Sequence, residues 1–108
     1  MTEFRVCSCY CAVVQVAGTT YVELGNSIRL ICNASGHYQA PDDVNWYHRG
    51  TMLQSNSRAG IAVSKKTTQR VLMSMLVIDS SQMTDAGKYS CRTSSGDRAS
   101  IDVHILKG

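Results

Sequence analysis

The cysteines carry the most reactive side chains of this chain, and their spacing divides them into two groups. Cys7, Cys9 and Cys11 alternate near the start, whereas Cys32 and Cys91 lie far apart. Thiolates can bind zinc, but a structural zinc site has four ligands, so three thiols alone do not complete one. We therefore predict no metal site. The total of five cysteines is odd, which leaves at least one of them without a partner in the chain.

Catalysis would require a nucleophile, a general base or a metal-binding set at workable spacing. The sequence contains no Gly-x-Ser-x-Gly elbow, no His-Glu-x-x-His pair and no glycine-rich phosphate loop before a helix. The histidines His37, His48 and His104 fall in separate predicted elements. An isolated histidine such as His48 is typically a hydrogen-bonded structural residue at a strand end. We predict that the protein is not an enzyme and has no cofactor and no small-molecule substrate.

Aromatic residues indicate which elements position the distant cysteine pair. Trp46 lies between Cys32 and Cys91, and Tyr89 stands two residues before Cys91. This pattern is typical of an immunoglobulin-like sandwich, in which a disulfide joins two antiparallel sheets, an indole packs on it and a tyrosine hydroxyl bonds back to a corner. We predict this all-β fold, of the I-type or a similar set, with one Cys32–Cys91 disulfide.

Asp85, at the start of the run that ends in Cys91, belongs to the same framework. We expect its carboxylate to pair with a cation, either Arg58 or Lys65, that lies ahead of or within strand D of the sandwich. All of these residues are expected to build the domain rather than to bind a ligand.

Alternating apolar residues between turn-forming residues place the strands, which take the letters of the sandwich. The predicted strands are A (13–16), A′ (21–24), B (27–34), C (44–49), a short C′ around 52–53, D (61–64), E (71–78), F (87–93) and G (99–105). A single helical turn is expected within 79–84. Strand parity turns Cys32 inward and Asn33 outward, and on strand E it places Ser74, Leu76 and Ile78 on one face and Met73 and Met75 on the other.

The segment before strand A does not fit the sandwich pattern, so we place the domain at residues 13–108 and leave 1–12 unmatched. One interpretation is a secretory signal peptide that extends to residue 18. Arg5 supplies the positive charge, Val6–Val14 is mostly apolar and small residues precede the cleavage point. The alternative is that the segment is a linker and that strand A begins near Val13.

Composition is that of one globular domain of 108 residues, with 44% hydrophobic and 18% charged residues. No apolar run reaches the roughly 18 residues of a membrane span. The net charge is +3, and the basic residues alternate with acidic residues along the chain without forming a basic stripe. This distribution argues against a nucleic-acid partner. A framework disulfide belongs to an oxidising compartment, so we predict an extracellular or cell-surface location. In that setting Asn33-Ala34-Ser35 is an acceptor triplet for N-glycosylation at Asn33.

The outer surface of the sheet that contains strands C, F and G is the candidate binding face. Tyrosine and arginine, which are enriched at interface anchors, point outward there. Strand parity assigns to this face Asn45, Tyr47, Arg49, Lys88, Ser90, Arg92, Ser100, Asp102 and His104.

Several stretches together are more specific than the fold pattern. They are Val22–Cys32, Asn45-Trp46-Tyr47-His48, Ser57–Val63, Leu76–Cys91 and Val103–Leu106. In these the chain resembles the second immunoglobulin domain of the defective proboscis extension response (Dpr) family, which are insect neuronal surface proteins with two immunoglobulin domains. The resemblance implies a surface protein that pairs with other immunoglobulin-superfamily proteins, as a homo- or heterodimer, to specify neuronal contacts. In that family the first domain, which has no counterpart here, makes the main partner contact.

We therefore predict an extracellular recognition or adhesion module that acts by protein-protein binding. Two alternatives stay open. The domain could be a structural spacer that positions a distal binding domain, or it could be a fragment of a soluble immune or growth-factor-type receptor.

Overall fold

The computed structural model describes residues 12–36, 39–55 and 60–107. Within them nine strands and one turn of 3-10 helix follow in chain order: β1 (Ala12–Gly18), β2 (Tyr21–Glu23), β3 (Ile28–Gly36), β4 (Val44–His48), β5 (Thr51–Leu53), β6 (Ile61–Thr67), β7 (Val71–Ile78), η1 (Met83–Asp85), β8 (Gly87–Thr93) and β9 (Arg98–Leu106). This part of the chain has no helix of the length and apolar character that a membrane span requires. His37, Arg58 and the cysteines Cys7, Cys9 and Cys11 lie outside the described residues.

The strands form two sheets. One has the order β1-β3-β7-β6 and the other the order β2-β9-β8-β4-β5, which in sandwich letters are A-B-E-D and A′-G-F-C-C′. Neighbouring strands are antiparallel except for β2 and β9, which are parallel. Cys32 on β3 and Cys91 on β8 are bonded across the two sheets, with their Cα atoms 6.4 Å apart. The predicted all-β immunoglobulin-like sandwich with a Cys32–Cys91 disulfide between its sheets is therefore confirmed.

Gly18 is the point where the chain crosses from one sheet to the other. It ends β1, and three residues later β2 pairs with β9 in the opposite sheet. Its φ is +145°, and a Cβ there would come within 2.2 Å of the carbonyl oxygen of Arg29. Only glycine fits such a backbone position, so this residue permits the split into strands A and A′.

The core lies between the sheets and is built by strict alternation. On β3 the inward residues Ile28, Leu30, Cys32 and Ala34 are fully buried, whereas their neighbours along the strand are exposed or half-buried. The inward residues of β4, β7 and β8 meet them, with Trp46 as the largest buried side chain. Each fully buried aliphatic side chain stabilises the fold by roughly 1.5–3 kcal/mol.

The structure changes several predicted strand ends by one to three residues, and the changes in strands D and C have clear physical causes. Strand D runs to Thr67 rather than to residue 64, because β6 stays paired with β7 as far as Thr67 opposite Leu72. Its polar end hides this pairing, since β6 is an edge strand and lysines such as Lys65 and Lys66 protect exposed edges. Strand C ends at His48, and Arg49 and Gly50 form a two-residue hairpin turn with φ values of +54° and +80°, as in a type I′ turn.

Candidate functional site

The disulfide is supported by a polar contact that the sequence did not predict. The indole Nε1 of Trp46 on β4 donates a hydrogen bond of 2.9 Å to the Oγ of Ser74 on β7, in the opposite sheet. Both residues are fully buried. The only signal for this contact is a serine at an inward position of the otherwise apolar strand E. It fixes the orientation of the indole, because Nε1 is the sole hydrogen-bonding group of tryptophan.

The corner before β8 is held by hydrogen bonds to backbone. The hydroxyl of Tyr89 donates to the carbonyl oxygen of Asp85 at 2.6 Å, and the carboxylate of Asp85 accepts from the amide of Gln82 at 2.7 Å. The His48 ring stacks on Tyr89, with ring centroids 4.2 Å apart, and its Nε2 lies 3.0 Å from the carbonyl oxygen of Ala86. His48 is thus occupied in holding the strand end, as its isolated position indicated.

Lys65 does not serve as the cation for Asp85. Its Nζ forms an ion pair with Asp43, at the start of strand C. The hydrogen bond from Lys65 is the main cause that lowers the pKa of the Asp43 carboxyl below its ordinary value, and burial opposes this effect. The alternative cation, Arg58, lies outside the described residues.

The outward residues of β4, β8 and β9 form one continuous surface, which we call the C-F-G face. Register places Asn45 opposite Arg92 and Tyr47 opposite Ser90. On the other side of β8, register places Lys88 opposite Asp102, Ser90 opposite Ser100 and Arg92 opposite Arg98. The strands therefore bring together the residues that were assigned to this face from the sequence. Arg49 joins them from the turn rather than from strand C.

Tyr47 lies at the centre of the C-F-G face and is half-buried. The guanidinium of Arg92 sits over its ring, with Cζ 4.7 Å from the centroid. Beside it the hydroxyls of Ser90 and Ser100 are 3.0 Å apart. An open depression lined by Tyr47, Arg49, Gly50, Lys88, Ser90 and Arg92 surrounds this centre. An aromatic side chain surrounded by polar residues is the usual arrangement at a protein-binding surface.

Strand pairing collects positive charge on this face that is scattered along the sequence. Arg92 and Arg98 are directly opposite each other, an arrangement that is unfavourable for strand pairing by itself. Lys88 and Arg49 lie at the other end of the depression, and Asp102 is the acidic residue assigned to this face. Arg98 was missed from the sequence, because its place depends on the register of the F-G hairpin.

Two aromatic or apolar neighbours extend the C-F-G face beyond the predicted set. Tyr21 on β2 stacks on His104 with ring centroids 4.8 Å apart, and it is 65% exposed. Met52 on β5 lies opposite Tyr47 and is 38% exposed. Among the described residues no three His, Cys, Asp or Glu side chains are grouped to hold a metal.

Asn33 lies on the other sheet, on the outward side of β3 and half-buried. It is opposite Gln15 on β1 and Met73 on β7. Within the described part of the chain its side-chain amide makes no hydrogen bond. Ser35, the third residue of the acceptor triplet, points to the same side of the strand.

Comparison with known proteins identifies the family. The immunoglobulin domain family matches residues 13–95. The chain belongs to the immunoglobulin domain family. This immunoglobulin domain is also similar to the tyrosine-protein kinase receptor TYRO3 of Mus musculus, with 28% identity over 78% of the chain, and to its Rattus norvegicus counterpart, with 26% identity over 78%. It spans 9% of the length of each of these receptors.

Two solved structures share the fold of this immunoglobulin domain. One is the complex of Dpr2 Ig1-Ig2 with DIP-Theta Ig1-Ig3, with a TM-score of 0.75, 22% identity and coverage of 90% of this chain and 50% of that chain. The other is the N-terminal eight immunoglobulin domains of Down syndrome cell adhesion molecule isoform 1.30.30, with a TM-score of 0.77, 24% identity and coverage of 91% and 15%.

Proposed function

We propose that this immunoglobulin domain is an extracellular recognition module that binds another immunoglobulin-superfamily surface protein through its C-F-G face. The observation that carries the proposal is the arrangement around Tyr47, which is half-buried, lies under Arg92 and stands in a depression rimmed by further cations. Tyrosine and arginine in a central depression are the residues that carry most binding energy at interfaces. Cations at the rim would steer an acidic partner and accelerate association.

The relatives support the class of partner. The Dpr2 structure is a complex between proteins made of immunoglobulin domains, and the second solved neighbour is named as a cell adhesion molecule. Together with the resemblance to the second domain of the Dpr family, this supports a role in neuronal contact specification, through a homo- or heterodimer at the cell surface. The disulfide supports an extracellular location.

The test is a binding measurement between this immunoglobulin domain and a panel of extracellular immunoglobulin-superfamily proteins. For a partner so found, Tyr47→Ala should raise Kd by at least about thirtyfold, the effect of a hot-spot residue. Arg92→Glu should raise Kd and slow association, and its effect should shrink as salt concentration rises. Lys66→Glu is the matched control, because it makes the same charge reversal on the outward side of β6, in the opposite sheet.

The outcomes separate the proposal from its alternatives. If neither Tyr47→Ala nor Arg92→Glu changes the affinity, the C-F-G face is excluded as the binding site. Absence of saturable binding to the whole panel, in protein with native circular dichroism, supports a spacer that positions a distal domain. Because the chain is similar to the receptor TYRO3, the panel should also contain extracellular protein ligands of tyrosine kinase receptors. Binding to one of these ligands would indicate a receptor fragment instead.

A further inference from the structure

Strand E is apolar on both of its sides, which is unusual for a strand whose sheet faces solvent. Its inward residues are Leu72, Ser74, Leu76 and Ile78, and its outward residues are Val71, Met73, Met75 and Val77. The single polar side chain of β7 thus points into the core, where it binds Trp46. The outward side offers no polar group to water.

Neighbouring strands extend this apolar surface. Ile31 on β3 lies opposite Met75, and Ala17 on β1 lies opposite Ile31. At one end Val13 is 64% exposed. We call the outward set Val13, Ala17, Ile31, Val71, Met73, Met75 and Val77 the A-B-E-D patch. Val13 and Ala17 are exposed, and the other five side chains are half-buried. The polar outward residues Arg29, Ser35 and Lys66 lie opposite members of this set. A partly exposed apolar surface of this kind can be covered by another group or can promote self-association.

Asn33 stands inside the A-B-E-D patch. It is the direct cross-strand neighbour of Met73, and such neighbours have Cβ atoms about 4.5–5.5 Å apart. Ile31 is the preceding outward residue on the same strand, and Met75 lies diagonally across. The side-chain amide of Asn33 is without a hydrogen-bond partner in the described residues, and it is the acceptor of an Asn-Ala-Ser triplet. A group attached to its Nδ2 would extend over these methionines.

We propose that an N-linked glycan on Asn33 covers the A-B-E-D patch and prevents self-association through it. In the attachment reaction Nδ2 bonds to C1 of the first N-acetylglucosamine of a lipid-diphosphate oligosaccharide donor. The bond from C1 to the diphosphate breaks, the lipid diphosphate leaves and the amide nitrogen loses one proton. The C–H side of the first sugar then packs on Met73 and Met75, whose flexible thioethers adapt to an irregular surface. This division leaves the C-F-G face, on the opposite sheet, free for a partner.

The experiment uses the chain secreted from eukaryotic cells. Intact mass before and after complete enzymatic deglycosylation reports occupancy, and Asn33→Gln identifies the site. The folded glycoprotein is then compared in three forms: untreated, trimmed enzymatically to the first sugar, and fully deglycosylated. Fluorescence of the dye ANS reports exposed apolar surface, and sedimentation velocity reports self-association.

Relocated glycans provide the matched controls in the Asn33→Gln background. Lys66→Asn creates an Asn-Thr-Thr triplet on β6, opposite Met73 on the same outward surface. Gln82→Asn creates an Asn-Met-Thr triplet at the exposed corner before η1, away from the patch. Both carry a glycan of the same kind, but only the first is placed over the A-B-E-D patch.

We expect low ANS fluorescence and monomers for the untreated and trimmed forms, and an increase of about threefold in ANS fluorescence with self-association after full removal. Asn33→Gln should behave like the deglycosylated form, and adding Met75→Thr or the Lys66→Asn glycan should reverse the effect. The proposal is overturned if Asn33 carries no sugar, if full removal changes neither readout, or if the Gln82→Asn glycan reverses the effect as well as the Lys66→Asn glycan does. A glycosylated protein that already self-associates through the patch would identify a second copy as its occupant and overturn the proposal too.

Discussion

Ser74→Ala tests the hydrogen bond that joins the two sheets beside the disulfide. The substitution removes the acceptor of the Trp46 Nε1–H, which lies 2.9 Å from Oγ in a fully buried position. The indole donor then stays fully buried without this acceptor. Leaving a buried donor unsatisfied costs about 1–3 kcal/mol, so we expect the free energy of unfolding to fall by about 2 kcal/mol. For a domain of this size that corresponds to a Tm lower by about 8–15 °C.

A double-mutant cycle assigns this loss to the bond. In a Trp46→Phe background the donor is absent, and the hydroxyl of Ser74 is itself a buried polar group. We expect Ser74→Ala to cost less than about 0.5 kcal/mol there, which gives a coupling energy of about 2 kcal/mol. Ser64→Ala, at an exposed position of the neighbouring strand β6, is the control and should change stability by no more than about 0.5 kcal/mol.

The assay is urea unfolding followed by circular dichroism, since one member of the cycle lacks the fluorescent indole. Midpoints are compared at constant m, so that a change in midpoint reports stability. If Ser74→Ala costs the same with tryptophan and with phenylalanine at position 46, the reasoning from the buried donor is wrong. The loss would then be due to packing around the missing oxygen.

Three further predictions concern the framework. Cys32→Ala combined with Cys91→Ala should abolish secretion, because closing a loop of 59 residues stabilises the fold by about 4 kcal/mol; a double variant that folds at 37 °C would contradict this. Lys65→Gln should lower the free energy of unfolding by less than about 1 kcal/mol at neutral pH and should have no effect in acid. The lowered pKa of Asp43 stabilises the fold when the pH is above the ordinary pKa of an aspartate, and this contribution is lost as the pH falls through the lowered pKa. Urea midpoints across pH check this, and a cost that persists in acid contradicts it. Deleting residues 1–18 should lower the free energy of unfolding by about 2 kcal/mol or more, because the inward valines of β1 pack on the core. The contrary result is a secreted protein that lacks these residues by intact mass and is fully stable. That result would support the signal peptide.

Much of the fold follows from local patterns. Alternation along strands B, E and G predicts which side chains face inward, because a strand has a period of two whatever its partner is. The limits of strands C and D were less accurate for different reasons. Lys65 and Lys66 belong to a paired edge whose polarity hides it, and Arg49 adopts a positive φ that its residue type does not suggest.

Strand parity predicts which residues of strands C, F and G point outward, but it does not predict the charge that they collect on the C-F-G face. Lys88, Arg92 and Arg98 are separated by acidic and neutral residues in the chain, so the sequence shows a mixed distribution. The F-G hairpin places Arg98 beside Arg92, and the C-C′ turn adds Arg49 to the same depression. Which residues become neighbours depends on the register between two strands, and the sequence of one strand does not specify that register.

The sequence by itself determined the class of the domain, the pairing of Cys32 with Cys91 and the alternation of inward and outward side chains along strands such as B and G. Its cysteine, tryptophan and tyrosine spacing is specific, and side-chain parity is a property of one strand. Only the tertiary structure decided that Ser74 receives the Trp46 donor, that two arginines face each other on the C-F-G face and that Asn33 stands beside Met73. Each of these pairs joins different strands, and their contact is set by how the strands align across and between the sheets.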